Sequence, residues 1–232
     1  MPAFFRFPHT PHVAWLGARV PRDDKLLSPQ EVDELLADEV VIEEKIDGAN
    51  LGLSLAEDGT VRAQNRGNYL SEPFTGQFSR LSSWLALHRH ALTDNLTNTL
   101  ILFGEWCAAR HSLSYESLPD LFLIFDVYDR TSGHFWSTPR RNAFVETLGL
   151  TTVPKIMYGA TSLAELRTLL NTSTSRYRAG PPEGIVIRRD SKDWCEARAK
   201  LVREEFTQSI DEHWRTRTIQ WNRVMPHHAR SQ

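Results

Sequence analysis

The most informative segment of the sequence is a lysine that runs directly into an Asp-Gly pair, at Lys45-Ile46-Asp47-Gly48. The β-branched run before it predicts a strand. The amine therefore lies at the end of a rigid element, and the glycine lets a ligand approach the backbone. A lysine attacks phosphorus only as the neutral amine, and a desolvated site or nearby cations lower its pKa for that role. Taken alone, the four residues also fit an exposed lysine beside a hairpin turn.

Four later segments place charged or aromatic side chains on predicted strands. Glu105 follows Leu102-Phe103-Gly104, and Phe122-Leu123-Ile124-Phe125-Asp126 combines aromatic residues with an acid. Glu183 directly precedes a glycine at the start of a strand. Arg198 and Lys200 lie two residues apart, so a strand presents both on one face. Each segment alone has an ordinary structural explanation, since exposed charges and buried aromatic residues are common.

Together and in this order, these segments resemble the covalent nucleotidyltransferase superfamily of ATP-dependent DNA ligases, RNA ligases and mRNA-capping guanylyltransferases. The resemblance extends from about Val41 to Arg203. It implies an α+β fold, a nucleotidyltransferase (ATP-grasp-like ligase) domain of mostly antiparallel sheets with flanking helices. The segments that match the superfamily motifs are Lys45-Ile46-Asp47-Gly48, Asn65-Arg66-Gly67, Phe103-Gly104-Glu105, Phe122 to Asp126, Glu183-Gly184-Ile185-Val186 and the stretch at Lys200.

Two further features resemble the RNA ligase 2 branch. Asn50 follows Lys-Ile-Asp-Gly-Ala, where DNA ligases and capping enzymes more often have arginine, and the lead-in Phe5-Arg6-Phe7-Pro8-His9-Thr10-Pro11-His12 resembles stand-alone RNA ligases. Members of the superfamily usually carry another domain after the last motif, whereas about thirty residues follow Lys200 here. The resemblance therefore implies a minimal ligase, or one that borrows a partner protein's nucleic-acid-binding surface.

The resemblance implies a role for each matching residue. Lys45 attacks the α-phosphate of ATP, Asp47 orders the turn, and Lys200 offsets charge on the phosphate, with either Arg198 or Arg203 as its companion. Glu183 holds Mg²⁺ or Mn²⁺, because hard ions prefer oxygen ligands. Phe125, or alternatively Phe122, stacks on adenine. The implied cofactor-binding residues are Glu44, Asn50, Arg66, Glu105, Phe125, Arg198 and Lys200.

The implied reaction joins an RNA 5′-phosphate to a 3′-hydroxyl through a lysyl–AMP intermediate. A DNA nick ligase, a guanylyltransferase of the same fold and a non-catalytic nucleotide- or RNA-end-binding module are the alternatives. The formal net charge is −2, so RNA must be held by a local basic patch. The candidates for that patch are Arg6, Arg19, Arg22, Arg66, Arg188, Arg189, Arg215, Arg217, Arg223 and Arg230.

The elements that position these residues follow from periodicity. Strands are predicted at 40–46, 51–55, 60–64, 100–106, 121–128, 184–188 and 197–202, and helices at 78–92, 139–148 and 162–170. Ser28 and Glu31 form a capping box for a further helix, and Asp58-Gly59 predicts a hairpin. The predicted organisation is a lead-in at 1–40, an adenylyltransferase core at 41–203 and a short helical extension at 204–232.

The composition of the chain limits its domain size and indicates its cellular compartment. The 232 residues, 41% of them hydrophobic, are enough for one well-cored domain. Cys107 and Cys195 are too few and too far apart for a zinc cluster and indicate reduced thiols. The N-terminus lacks the apolar core of a signal peptide, and no stretch is long and apolar enough to span a bilayer. We therefore expect a soluble cytoplasmic protein with no membrane partner.

Overall fold

The β-strands of this chain form two sheets in the computed structural model, which describes residues 4–17, 25–207 and 218–225. The strands are β1 (Val40–Lys45), β2 (Ala49–Leu55), β3 (Val61–Gln64), β4 (Leu100–Trp106), β5 (Phe122–Asp129), β6 (His134–Phe135), β7 (Thr151–Thr152), β8 (Lys155–Gly159), β9 (Gly184–Asp190) and β10 (Cys195–Val202). The helices are α1 (Pro29–Leu35), α2 (Leu81–Asn95), α3 (Thr138–Thr147), α4 (Leu163–Thr172) and α5 (Glu204–Thr207), and Gly76–Phe78 is a 3₁₀ turn.

The chain divides into two compact units, each built on one sheet. Of the described residues, 4–7, 48–152 and 218–225 form the six-stranded unit, and 8–17, 25–47 and 153–207 form the four-stranded unit. The chain passes from one unit to the other within the Lys-Ile-Asp-Gly segment, between Asp47 and Gly48. Each unit is therefore assembled from segments that are distant in sequence.

The four-stranded unit has a sheet of order β10-β9-β1-β8 with antiparallel neighbours. Alternate residues such as Ile42, Ile185 and Leu201 are fully buried in its core, against α1 and α4. Both helices begin with a capping box, at Ser28 and Ser162, which satisfies backbone groups at the helix start. Because side chains alternate along a strand, the residues between the core positions lie on the opposite face of this sheet.

The six-stranded unit has the order β3-β2-β4-β5-β6, with β7 added in parallel beside β5. On one face Trp84 of α2 packs edge-on against Phe122, with ring centroids 5.4 Å apart. On the other face the N-terminal aromatic residues cover the sheet: Phe5 stacks on Tyr128 at 3.7 Å, and Phe7 packs against Phe103 at 4.9 Å. Both faces of β4 and β5 are therefore buried, which explains their nearly continuous apolar sequences.

Residues 218–225 form an extended segment on the six-stranded unit, which we call the C-terminal strap. Its buried Asn222 accepts a hydrogen bond from the Tyr115 amide at 2.8 Å and donates to the carbonyls of Cys107 and Ala109 at 2.9 and 3.4 Å. The guanidinium of Arg80 lies over the Trp221 ring at 4.1 Å. One asparagine thus ties the strap to the segment that follows β4.

The α+β fold with mostly antiparallel sheets is confirmed, and the capping box at Ser28 forms as predicted. The helix predicted at 78–92 begins later, at Leu81, because Phe78 lies in the 3₁₀ turn. Short strands β6, β7 and β8 were not predicted. The strap is extended rather than helical, and α5 covers Glu204–Thr207 of the predicted helical extension, while 208–217 and 226–232 lie outside the described residues. The boundaries of the three predicted regions stay predictions. Within the described residues, no helix has the length and apolar character needed to cross a membrane.

Candidate active site

Lys45 forms a two-pronged ion pair with Glu183 in the four-stranded unit. The ammonium donates to both carboxylate oxygens, at 2.8 Å to Oε1 and 2.7 Å to Oε2. The lysine side chain is 27% exposed and that of the glutamate 13%. The strand pairing explains the contact, because Lys45 at the end of β1 lies opposite Gly184 at the start of β9. The carboxylate favours the charged ammonium, so the neutral amine expected from the sequence requires this pair to open.

The surroundings of Glu183 combine burial with opposing charges. Burial raises the pKa of its carboxyl above the usual range, and the nearby Asp47 raises it further. Lys45 and Lys200 act in the opposite direction and lower it. The Glu183 carboxyl is therefore influenced electrostatically by three predicted site residues, Lys45, Asp47 and Lys200.

The two cations of β10 lie on the same sheet face as Lys45. Lys200 pairs with Val186 of β9 and Arg198 pairs with Arg188, while the residues between them are core. Arg203, the other predicted companion of Lys200, lies just beyond the strand and donates to the Leu170 carbonyl at 2.9 Å. The register therefore places Arg198, rather than Arg203, beside Lys200.

The carboxylate of Glu44 lies on the face of β1 opposite to Lys45. It is buried and accepts hydrogen bonds from the Ser175 hydroxyl and, at 2.9 Å, from the Arg176 amide. Burial raises the pKa of Glu44 above its usual range, while these hydrogen bonds lower it in part. In this structure the side chain holds the 175–176 loop, and its role in cofactor binding stays a prediction.

Packing within the chain requires a glycine at position 48. A Cβ at this position would lie 2.7 Å from the Trp106 carbonyl oxygen and 3.0 Å from Cγ of Glu105. Its φ is not positive, so the turn does not demand glycine for conformational reasons. The chain itself therefore fills the Cβ side of Gly48, and the expectation that this glycine lets a ligand approach the backbone stays a prediction.

Asn50 and Glu105 are direct cross-strand neighbours in the six-stranded unit. Asn50 of β2 pairs with Glu105 of β4, so both side chains lie on one face. The Asn50 side-chain oxygen is buried and has no hydrogen-bond partner among the described residues. A buried acceptor without a partner is costly, and this one lies beside a carboxylate that the sequence had singled out.

Phe125 and Phe122 occupy opposite faces of β5. Phe122 is fully buried beneath Trp84, whereas Phe125 is half-buried and packs edge-on against Phe7 at 5.2 Å. A bulge at this point of the β4–β5 pairing leaves Phe125 as the extra residue, and the buried Arg141 donates to its carbonyl. Phe125 therefore shares a face with Glu105 and keeps an exposed part, as a stacking role requires.

Arg66 lies in a turn that follows β3. Asn65 closes this turn, because its side-chain oxygen accepts from the amides of Gly67 and Asn68, both at 2.8 Å. The Asn-Arg-Gly sequence therefore has a structural explanation. Asn65 shapes the turn that carries Arg66, whose side chain is half-buried.

The remaining arginines predicted to contact RNA have different environments. Arg188 is 1% exposed, and its Nε lies 3.8 Å from Oδ1 of Asp190. The prediction that Arg188 contacts RNA is therefore corrected, because its side chain is buried. Arg189 donates to the Glu34 carbonyl. Arg6 and Arg223 are exposed. The other predicted contacts lie outside the described residues: Arg19, Arg22, Arg215, Arg217 and Arg230.

Two acidic side chains of the four-stranded unit fit a hard divalent ion. Glu183 and Asp47 supply carboxylate oxygens, and the charge of Asp47 raises the pKa of Glu183. Across the described part of the chain, no group of three or more His, Cys, Asp or Glu side chains is arranged to hold a metal. Carboxylate oxygens suit a hard ion such as Mg²⁺, which commonly keeps several waters among its ligands.

Comparison with known proteins finds a matching family model and solved structures of similar fold. The RNA ligase family model matches residues 38–202. The fold is similar to Naegleria gruberi RNA ligase with PPi, at 18% identity and a TM-score of 0.63, over 79% of this chain and 55% of that one. A variant of that ligase with ATP and Mn is similar at 17% identity and a TM-score of 0.58, over 76% and 53%. The chain thus spans about half the length of these structures. No curated protein matches the sequence.

Proposed function

We propose that this chain, which belongs to the RNA ligase family, becomes adenylylated on Lys45 by ATP and uses the adenylate to join an RNA 5′-phosphate to a 3′-hydroxyl. The observation that carries the proposal is the pairing of Lys45 with Glu183 on a sheet face that also bears Arg198 and Lys200. An amine at a strand end, a carboxylate that holds it and two nearby cations suit transfer of a nucleotidyl group.

In the first step, the neutral Lys45 amine attacks the α-phosphorus of ATP. A phosphorus–nitrogen bond forms, and the bond to pyrophosphate breaks. Attack requires the ammonium to leave Glu183 and lose a proton. Lys200 and Arg198 offset the negative charge that develops on the α-phosphate oxygens.

In the second step, an oxygen of the RNA 5′-phosphate attacks the same phosphorus, and Lys45 leaves as the amine. In the third step, the 3′-hydroxyl attacks the activated 5′-phosphate and AMP leaves. The covalent lysine therefore divides one condensation into steps that each have a good leaving group.

Glu183 and Asp47 would hold a divalent ion, with Mg²⁺ or Mn²⁺ as the candidates. Such an ion supplies charge stabilisation at the phosphate oxygens. Because both oxygens of Glu183 accept from Lys45 in this structure, the carboxylate has two competing partners.

The residues of the six-stranded unit supply recognition of the nucleoside. Glu105 and Asn50 offer acceptors on one sheet face, and Phe125 offers an aromatic surface to adenine. The unpartnered Asn50 oxygen supports this assignment, since a bound nucleotide hydroxyl or water would satisfy it. The candidates for RNA phosphate contacts among the described residues are Arg6, Arg66, Arg189 and Arg223.

The test is transfer of label from α-³²P-ATP to the protein with Mg²⁺ or Mn²⁺. The wild type should acquire one AMP per chain and Lys45→Ala none. Lys155→Ala removes an exposed lysine of the same sheet and should label normally. Label that persists in Lys45→Ala would show that the nucleophile is another residue.

Nicked RNA and nicked DNA offered side by side test the polynucleotide substrate. Sealing of RNA nicks, with AMP released, is the expected result. Preference for DNA, or labelling by GTP in place of ATP, would indicate a different enzyme of the same fold. Binding of ATP with no adduct would indicate a non-catalytic module.

A further inference from the structure

The lead-in segment runs along the outer edge of β10 at the position of Lys200. The Lys200 amide donates to the Pro11 carbonyl at 2.8 Å, and the Val13 amide donates to the Lys200 carbonyl at 2.9 Å. These two bonds form a parallel bridge that pairs His12 with Lys200. The lead-in therefore covers the outer edge of the sheet at Lys200, the residue to which the resemblance assigns phosphate binding.

The backbone of His12 is also held from its other side. Its amide donates to the Lys25 carbonyl at 2.7 Å, and its carbonyl accepts from the Leu27 amide at 2.9 Å, which forms a second parallel bridge, with Leu26. His12 therefore lies between two backbone segments in a sheet-like arrangement, and its side-chain direction is fixed by both.

Pairing in register determines the face on which this side chain lies. Paired residues of neighbouring strands point to the same side of a sheet. Val186, Lys200 and His12 form one row, so the stem of Lys200 is flanked by Val186 on one side and by His12 on the other. This is the face that carries Lys45.

Burial makes the identity of this side chain significant. His12 is 3% exposed, and its ring packs edge-on against Trp15 at a centroid distance of 4.8 Å. A leucine would fill such a site at lower cost in desolvation, since burying a polar ring requires compensating interactions. An imidazole differs from leucine in that a ring nitrogen can accept a hydrogen bond from an ammonium group.

We propose that His12 is a positioning residue for Lys200, which holds the lysine stem and ammonium in the orientation required at the α-phosphate of ATP. The proposal rests on the proposed function and adds to it a residue from outside the family-model match, which begins at residue 38. Lysine has a flexible four-carbon stem, so a rigid neighbour on each side narrows the conformations that its ammonium explores.

The test is a double-mutant cycle on the rate of single-turnover adenylylation. His12→Leu keeps the volume and removes the hydrogen-bond acceptor, whereas His12→Gln keeps an acceptor. His12→Leu should slow AMP transfer about ten-fold or more in the otherwise wild-type chain, because it would remove a hydrogen bond to a charged group. His12→Gln should recover most of the rate.

The same substitution in a Lys200→Ala chain distinguishes positioning from general structural damage. If His12 acts through Lys200, His12→Leu should change the rate less than about two-fold in that background, since its target is gone. Where transfer by Lys200→Ala is too slow to measure, the ATP dissociation constant takes its place, with the same expectation. His90→Ala, at an exposed histidine of α2, is the control and should match the wild type.

Two results would overturn the proposal. The first is that His12→Leu lowers the adenylylation rate by the same factor in the wild-type and the Lys200→Ala backgrounds. The second is that His12→Leu alone keeps the full adenylylation rate. A wild type that forms no lysyl–AMP refutes the proposed function itself and is recognised before the cycle is measured. Thermal unfolding of each variant shows whether a loss reflects the fold.

Discussion

The two units carry candidate residues of different chemical character. In the four-stranded unit they are charged and paired, with Lys45 bound to Glu183 and with Arg198 and Lys200 on the same face. In the six-stranded unit they are an amide, a carboxylate and an aromatic ring, on a face covered elsewhere by N-terminal phenylalanines. The first set suits charge that develops during reaction, and the second suits recognition of a neutral nucleoside.

This difference leads to a difference in how substitutions should act. Removing a group that meets charge only in the transition state lowers the rate at saturating substrate. Removing a group that contacts the nucleoside in every bound state raises KM and leaves the saturated rate nearly unchanged. The proposed difference between the two units would be wrong if variants of both sets changed the saturated rate and KM in the same way.

The largest effect is expected at the ion pair itself. Glu183→Gln removes the charge that holds Lys45 and serves as the proposed metal ligand, so adenylylation at saturating ATP should fall about 10²–10³-fold, the range typical for loss of one group that stabilises transition-state charge. Single-turnover label transfer measures it, with Glu34→Gln on the exposed surface of α1 as the control. A change confined to KM would contradict the assignment.

The two phenylalanines of β5 should separate stability from recognition. Phe122→Ala empties a fully buried site beneath Trp84 and should lower the free energy of unfolding by about 3–5 kcal/mol. Phe125→Ala should raise the KM for ATP about ten-fold or more, because a stacked base contributes about 1–3 kcal/mol. Denaturant unfolding and steady-state kinetics on both variants measure the two effects. An unchanged KM in Phe125→Ala would remove the stacking assignment.

A smaller effect should distinguish the two arginines near Lys200. Arg198→Ala should slow adenylylation about ten-fold, since Arg198 shares the face of Lys200. Arg203→Ala should leave the rate near that of the wild type, because its guanidinium contacts the Leu170 carbonyl and Glu205. The reverse order of losses would show that the register does not decide the partner of Lys200.

The smallest effect concerns stability and pH at Glu44. Burial raises the pKa of this carboxyl in the folded chain above its usual value of 4.5. The folded state then binds the proton more readily than the unfolded state, so stability from this group declines as pH rises from about that value through the raised pKa. The stability of the wild type relative to Glu44→Gln should fall across this window in denaturant titrations. A difference that is independent of pH would contradict the assignment.

Local signals predicted much of the fold because they act over a few residues. The capping box at Ser28 and the apolar runs of β4 and β5 are encoded by neighbouring side chains and are confirmed. Short strands such as β8 escaped prediction because edge pairing depends on a distant partner, here β1. The late start of α2 reflects the 3₁₀ turn at Gly76–Phe78, which shares part of the helical periodicity.

The sequence did not predict those parts of the candidate site that depend on contacts between residues distant in the chain. Motif order indicated Lys45 and Glu183 individually, but they lie 138 positions apart and no local rule predicts that they pair. The row that joins His12 to Lys200 depends on a bridge between the lead-in and the last strand. The packing role of Gly48 similarly requires knowledge of Trp106 across the sheet.

The strap has a practical consequence for shortened chains. Asn222 supplies partners to the Tyr115 amide and to the carbonyls of Cys107 and Ala109, directly after the strand that ends in Glu105 and Trp106. Deleting the last residues would remove these three hydrogen bonds and loosen the segment next to Glu105. Weaker ATP recognition in such a truncated chain would then report damage transmitted through the backbone to Glu105.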